Sequence, residues 1–432
     1  MFFTPYLDRS IVYIHADRWS LVAEDHGFMN TTRNTNSIPA KMTKVTTSPQ
    51  AFQRLAIIGP TRNTVYRSHK TVKPKTAPSI RLVTMKPSRG ISGVESNLRL
   101  SELVREASKL TVSVLPDFYF DRIIRIPSLE KLFNETRAKA AAGGGNLRGY
   151  SQNELPGGNA TNLAFALASL SINTRLYCVG DASVRGLLQE TPNCEITLIE
   201  GRPSFTAALE FPFRGRTVNV MISDVGDVAG FDGRKLSRTD LRGLGESDCV
   251  ALTNWSSNKS GNTLARRVFS LAGRRHRLNF LDPADFTGAE NRLMQLKNIV
   301  DEGLIDVLSL NENEARILAG RLSVQRLPHE YEPGDVVRAS AILHSKLSAT
   351  IDIHTPFGSA SSSDEGQVWA ATPRLVSGLV TGAGDVWDAG DILGHLLRFE
   401  PHARLVFANL CAYAYIKTEK QPRLKGMRHF LS

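Results

Sequence analysis

The residues in this chain best suited to chemistry are Thr381-Gly382-Ala383-Gly384-Asp385, directly ahead of a helical run from Val386 to Phe399. Small residues let a backbone approach a ligand closely. The first N–H groups of a helix have no intrahelical partner, and the helix dipole is positive at that end. Gly382, Ala383 and Gly384 therefore read as an anion hole for a phosphoryl group gathering negative charge. Asp385 stands at the same helix start, placed to accept a proton from an attacking hydroxyl. A bare G-x-G-D run reads as a tight turn with an Asp cap. Two further runs change that reading.

Leu155-Pro156-Gly157-Gly158-Asn159-Ala160-Thr161-Asn162 opens another helix. Gly157 and Gly158 expose backbone N–H groups to a ligand's hydroxyl oxygens, and Asn159 and Asn162, one turn apart, reach one cleft. Asn159 also suits a helix cap. Asn311-Glu312-Asn313-Glu314 follows a strand pattern over residues 306–310. Asn311 and Glu314 share a helix face at the carboxyl edge of a sheet, where open α/β sheets bind ligands. Oxygen ligands of that kind suit a phosphate-bound magnesium, with Glu314 as the metal ligand, directly or through water. Taken alone, that run reads as a solvated helix start.

The surrounding pattern alternates strands with helices. Strands are predicted at Thr111–Leu115, Phe118–Ile126, Thr174–Val179, Leu278–Leu281 and Val307–Leu310. Helices are predicted at Ala160–Leu170, 260–274, 289–302, Val386–Phe399 and Arg404–Lys417. This rhythm implies a mostly parallel sheet covered on both faces, a three-layer α/β/α Rossmann-like architecture. Ser204–Phe213 and Thr217–Ser223 flank Arg214-Gly215-Arg216 and read as a hairpin outside that sheet, suited to a small β-sheet lid.

Several functions are disfavoured. No G-x-x-x-x-G-K-[ST] run exists, and none of the 10 histidines forms H-E-x-x-H. Gly143-Gly144-Gly145 lacks dinucleotide-motif spacing and reads as a loop. No stretch approaches the roughly 18 uninterrupted apolar residues of a membrane span. Cys178, Cys194, Cys249 and Cys411 form no C-x-x-C pair, so they read as free thiols in a reducing, cytoplasmic setting.

The net charge of +11 is unevenly placed. Residues 27–94 hold 12 Lys/Arg and no acid, whereas residues 95–432 hold 39 basic against 38 acidic side chains. The nearly neutral body gives no support to nucleic-acid binding. Residues 1–95 read as a basic, mostly disordered extension, and 96–432 as the folded domain. A start at Met85 and an organelle-targeting segment are the competing readings of the extension.

Together these runs resemble the ribokinase-like (PfkB) carbohydrate kinase family over residues about 111–420. The Thr381–Gly390 run, the Gly157-Gly158-Asn159 run and the Asn311/Glu314 pair stand in the family's order. Asn254-Trp255, Leu281–Asp285 and Asp352–Pro356 look closest to the archaeal-type sugar kinases. The resemblance implies a ribokinase-like domain whose lid comes from about 117–126 and 204–223. It implies phosphoryl transfer from ATP, with magnesium, to a hydroxyl of a sugar or sugar derivative. ADP is the alternative donor. A nucleoside kinase and a catalytically silent ligand-binding relative are the alternative functions. Asp385 matches the base and Gly382, Ala383 and Gly384 the anion hole. Asp121, Gly157, Gly158, Asn159 and Asn162 match the substrate cleft, with Asp117 competing for the place of Asp121. Asn311, Glu314, His354 and Gly358 fall on the nucleotide and phosphate side. The lid also implies a homodimer. Leu379-Val380 replaces an Asp-Thr pair that helps hold a monovalent cation, and Ser359–Gly366, Ser-rich and acidic, reads as a flexible nucleotide loop.

Overall fold

Strand β1 (Thr111–Leu115) and its neighbours carry apolar side chains toward both faces, which only a sheet covered on both sides can hold. The computed structural model describes residues 101–188, 191–213, 216–271, 277–322, 332–373 and 381–427. The expectations for residues 1–95 and for Leu379-Val380 lie outside the described residues.

Helix α1 covers residues 101–107. After β1 come β2 (Tyr119–Arg125), α2 (Leu129–Ala141), β3 (Ser151–Gly157), α3 (Asn159–Ser169), β4 (Asn173–Gly180), α4 (Ala182–Arg185), β5 (Cys194–Glu200), β6 (Ser204–Phe213) and β7 (Arg216–Asp224). Then follow α5 (Arg238–Glu246), β8 (Cys249–Thr253), α6 (Gly261–Phe269), β9 (Leu278–Asp282), α7 (Leu293–Asp301), β10 (Val307–Asn311) and α8 (Glu312–Leu322). The chain continues through α9 (Pro333–His344), β11 (Thr350–Thr355), β12 (Gly358–Ser363), β13 (Gly366–Ala371), α10 (Ala383–Leu396) and α11 (Pro401–Thr418).

The main sheet has the order β13-β12-β11-β10-β9-β8-β1-β4-β5, parallel except for the β11–β12 and β12–β13 pairs. Alternation along each strand sends side chains to two separate cores. Val250 and Leu252 of β8 pack toward α5–α9, whereas Cys249 and Ala251 pack toward α1, α3, α10 and α11. The result is the three-layer α/β/α arrangement. A second sheet, β3-β2-β6-β7, stands apart from the main one. It contains the hairpin and also β3, which the sequence pattern did not indicate. Among the described residues no helix is long and apolar enough to cross a membrane.

The Ser-rich segment is not a loop. It forms β12, with Ser359, Ser361 and Ser362 buried. Ser362 bonds Ser340 of α9 at 2.8 Å, and Ser361 accepts from Arg404 at 2.9 Å. Ser361 and Ser362 are tolerated there because neighbouring elements satisfy their hydroxyls, whereas the Ser359 hydroxyl is buried without a partner.

Arg404 of α11 ties the strand layer to the helices. Its guanidinium donates to Asp352 of β11 at 2.7 and 3.2 Å and also pairs with Asp391 of α10. His395 lies 3.1 Å from the same Asp352. Burial opposes ionisation of Asp352, but the adjacent guanidinium overrides it and holds the carboxyl well below the usual range. Close helix packing supports the cluster. A Cβ on Gly390 of α10 would sit 2.8 Å from Ala408 Cα of α11.

Removing one partner of a buried pair strands the other charge, so Arg404→Met is expected to cost about 3–5 kcal/mol in chemical denaturation. Arg266, paired with Glu302 through side chains 45% and 41% exposed, is the control. Arg266→Met is expected to cost less than about 1 kcal/mol. Equal losses in the two variants would contradict the role given to the cluster.

Candidate active site

Two glycine-opened helix starts meet at the carboxyl ends of β1, β9 and β10. Gly382 caps α10 with φ 80, a left-handed backbone that glycine adopts without strain. A Cβ there would also lie 3.3 Å from both Asn162 Nδ2 and Tyr415 Oη. The first intrahelical bond of α10 runs from the Val386 amide to the Gly382 carbonyl. The amides of Ala383, Gly384 and Asp385 therefore precede the helix's own bonding and are available to an anion.

Gly158 caps α3 with φ 96. The two glycines of this turn make room for two carboxylates. A Cβ on Gly157 would fall 1.9 Å from Asp121 Oδ2, and one on Gly158 would fall 2.7 Å from Asp117 Oδ2. Asp117 is fully buried and accepts from the Ala160 amide at 3.2 Å and from Thr253 Oγ1 at 2.8 Å. It holds the start of α3 in place. Asp121 is half-exposed on the small sheet, so of the two it is the carboxylate open to the cleft. Burial pushes its carboxyl up to about 6, with the charge of Asp117 adding to the shift.

Asn162 joins the two turns by donating to Asp385 Oδ2 at 3.0 Å. Asn159 donates to Asp282 Oδ2 at 3.4 Å, at the end of β9. Asp385 is 6% exposed, and burial followed by the charge of Asp282 pushes its carboxyl well above the ordinary range. A raised pKa makes a carboxylate a stronger proton acceptor, which suits a group facing a hydroxyl.

Asn311 and Glu314 meet each other. Glu314 accepts from the Asn311 amide at 2.8 Å and from Asn311 Nδ2 at 2.5 Å, while Asn311 Oδ1 accepts from the Glu314 amide at 3.0 Å. This reciprocal cap starts α8 and leaves lone pairs on the carboxylate for a metal-bound water. Burial, then the charge of Asp282, raises Glu314 well above its usual value. His354, at the end of β11, supports the anion-hole turn. A Cβ on Gly384 would lie 3.1 Å from its ring, and the ring stands 5.1 Å from that of Trp387. Burial pushes the imidazole down to about 4, so it is neutral near neutral pH. Gly358 starts β12 close against β13. A Cβ there would lie 2.4 Å from Trp369 and 2.5 Å from the Ala370 carbonyl, within the β12–β13 hairpin.

Two acidic residues join the site without having been assigned a role from sequence. Asp282 carries a carboxyl raised to about 6 by burial. Asp388, one turn beyond Asp385, accepts from Ser309 at 2.5 Å, and burial followed by the charge of Asp282 raises its carboxyl well above the ordinary range. Its helical spacing from Asp385 was the available signal. Among the described residues no Lys or Arg side chain pairs with Asp117, Asp282, Glu314, Asp385 or Asp388. Oδ2 of Asp117 and Oδ2 of Asp388 are buried and meet no donor. Excess negative charge, hard oxygen ligands and unsatisfied carboxylate oxygens fit a divalent cation such as magnesium.

No protein-family model matches the chain, and no curated protein matches it in sequence. Its structure has the ribokinase-like (PfkB carbohydrate kinase) fold. Solved structures that share this fold include adenosine kinase from Sinorhizobium meliloti, at TM-score 0.59 and 15% identity, covering 75% of this chain and 99% of that one. Ribokinase from Cryptococcus neoformans var. grubii serotype A in complex with ADP follows, at TM-score 0.58 and 14% identity, covering 74% and 98%. Arabidopsis thaliana ribokinase complexed with ribose and ATP matches at TM-score 0.54 and 17% identity, covering 75% and 98%.

Asp121 is expected to titrate at about 6 when followed by its side-chain carboxyl 13C shift. Asp117→Asn removes the neighbouring like charge and is expected to lower that value. An Asp121 titration at the ordinary carboxylate value in the native chain would contradict the crowding of the two groups.

Proposed function

We propose that this chain is a kinase that moves a phosphoryl group from ATP to a hydroxyl of a sugar or sugar derivative. The observation that carries the reading is the Asn162–Asp385 bond, which sets a raised carboxyl beside the free amides of α10 and within reach of the Gly157-Gly158 turn. The ligands of the fold's neighbours, ADP in one and ribose with ATP in another, support the donor and the acceptor.

In this reading Asp121, Asn159 and the glycine turn hold the acceptor's hydroxyls, and Asp385 takes the proton of the attacking one. As the new O–P bond forms, the bond from the γ-phosphorus to the bridging oxygen breaks, and ADP leaves with that electron pair. The amides of Ala383, Gly384 and Asp385 offset charge on the transferring group. His354, neutral beneath the turn, adds no competing charge. Glu314, through water, with Asp282 beside it, would hold magnesium. That ion would neutralise charge on the nucleotide phosphates. The small sheet closes over the acceptor and excludes water.

The crowded, unpaired carboxylates disfavour an acceptor that carries its own negative charge, because like charges brought together cost binding energy. A neutral polyhydroxyl compound fits better than a sugar phosphate. Of the aromatics in and beside the small sheet that could stack a nucleoside base, Tyr119 shares the face of Asp121 but is buried, its hydroxyl accepting from Asn254 at 3.3 Å, and Phe118, Phe120 and Phe205 point elsewhere. Phe118 is buried in the core, while Phe120 and Phe205 stack on each other, ring centroids 4.9 Å apart. By strand alternation that pair lies on the face opposite Asp121. The same outer face exposes Phe205, Val220 and Ile222, which favours the homodimer through the lid.

The direct test is a panel of sugars, sugar phosphates and nucleosides, assayed with ATP and with ADP. A neutral sugar is expected to be phosphorylated from ATP, with kcat/KM about tenfold or more above that of its phosphorylated counterpart. No transfer to any member of the panel would contradict the proposal. An ionised carboxylate accepts hydroxyl hydrogen bonds more strongly than a protonated one, so acceptor kcat/KM is expected to rise with pH through about 6. Asp121→Asn should remove the component of the acid limb near pH 6 and leave the component set by ionisation of Asp385. An unchanged pH profile in this variant would shift the substrate role to another residue.

A further inference from the structure

The small sheet touches the anion-hole turn through a side chain that the chemistry above does not use. Asn219 lies midway along β7, the edge strand of the order β3-β2-β6-β7. Its register partner on β6 is Glu210, whose partner on β2 is Arg125. Arg125 is four residues beyond Asp121, so Asn219 shares the face of Asp121. Thr206 and Ser223, in register with Asp121, lie on that face too. From there Asn219 Nδ2 donates to Thr381 Oγ1 at 2.7 Å. Among the described residues it is the one hydrogen bond between a strand of the small sheet and residues 381–385.

Thr381 is held from a second side. Tyr415 of α11 donates to its carbonyl at 3.0 Å. The next residue, Gly382, is wedged between Tyr415 Oη and Asn162 Nδ2. The backbone entering α10 is thus fixed by α11 and α3, while its threonine side chain is reached from the small sheet. The two contacts differ in kind. α3 and α11 belong to the packed layer against the main sheet. β7 is an edge strand whose residues 220–224 are exposed, and moving it disturbs little packed surface.

We propose that Asn219 is a positioning residue that latches the small sheet to Thr381, and that a seated acceptor shifts the sheet further toward this latched state, so that closure over Asp121 and fixation of the anion-hole amides occur together. This inference rests on the kinase reading and adds the coupling between acceptor occupancy and that turn. An acceptor bonded to Asp121 draws down the face that also carries Asn219. The amide then stays on Thr381, and the amides of residues 383–385 are held where charge develops. Without an acceptor the latch is made for only part of the time, and the turn is held less firmly. Hydrolysis of the nucleotide by water is disfavoured in that state. A single neutral hydrogen bond shifts an equilibrium by roughly twofold to tenfold, strong enough to bias closure and weak enough to allow product release.

The test compares Asn219→Ala, Thr381→Val and the double variant in the full chain. Thr381→Val keeps the side-chain shape and the carbonyl that Tyr415 holds. Each single change is expected to lower kcat for acceptor phosphorylation by about fivefold to tenfold while KM for ATP stays within about twofold. The ratio of ATP hydrolysis to transfer should rise in each. The double variant should be no slower than either single one, since both remove the same bond. Additive losses, or a change confined to KM, would overturn the latch. Hydrogen exchange on the ligand-free chains gives an independent arm. The latch requires faster exchange both in β7 and at the Val386 amide in Asn219→Ala, and unchanged exchange in either segment overturns it. If the native chain phosphorylates no acceptor, the kinase reading fails on its own, and the exchange arm still decides whether Asn219 couples the two segments.

Discussion

The bond from Asn162 to Asp385 joins two turns that the chain builds 223 residues apart. Each turn is opened by glycine for a steric reason. Gly157 and Gly158 would otherwise collide with Asp121 and Asp117, and Gly384 would press on His354. Each turn also begins a helix whose first amides lack partners. Glycine at these positions thus brings carboxylates and free amides into one small volume. The Asn162 amide restrains Asp385, which burial and the charge of Asp282 make reluctant to ionise.

Negative charge is the recurring constraint. Further along α10, Asp391 and the neighbouring Asp352 pair with Arg404. Toward the start of the helix, Asp282, Glu314, Asp385 and Asp388 have no such partner among the described residues. The same helix therefore carries one neutralised cluster and one left uncompensated. The first is structural, binding β11 and α11 to α10. The second has the composition of a cation and phosphate site, and its raised carboxyls record the cost of leaving charge unmatched in a desolvated place.

Four of the nine strands of the main sheet, β1, β4, β9 and β10, were legible from their apolar runs, whereas β8, buried throughout, was not read. Thr111–Leu115 carries Val112, Val114 and Leu115 and forms β1 with those limits. The hairpin was legible from its turn residues, and β6 keeps the range read from sequence. β3 was not legible. Its sequence, SQNELPG, is polar, five of its residues are exposed, and Pro156 is tolerated because β3 is an edge strand. β12 was misread for the opposite reason, since its serines are buried, with Ser362 and Ser361 satisfied by Ser340 and Arg404, partners distant in sequence. The turn residues of the candidate site stood out by local spacing. Asp282, Asp388 and Asn219 did not, because their meaning depends on long-range neighbours. Asn311 and Glu314 proved to be each other's partners, a cap as well as a candidate ligand set.

The central claim is that the 385 carboxyl receives a proton during phosphoryl transfer rather than serving only as a helix cap. Single-turnover transfer by Asp385→Asn, with nucleotide affinity measured on the same sample, tests it most directly. The substitution keeps the size of the side chain and its place at the start of α10. Transfer should slow by about 10² to 10⁴ while nucleotide binding is retained. Near-native transfer by this variant would contradict the account.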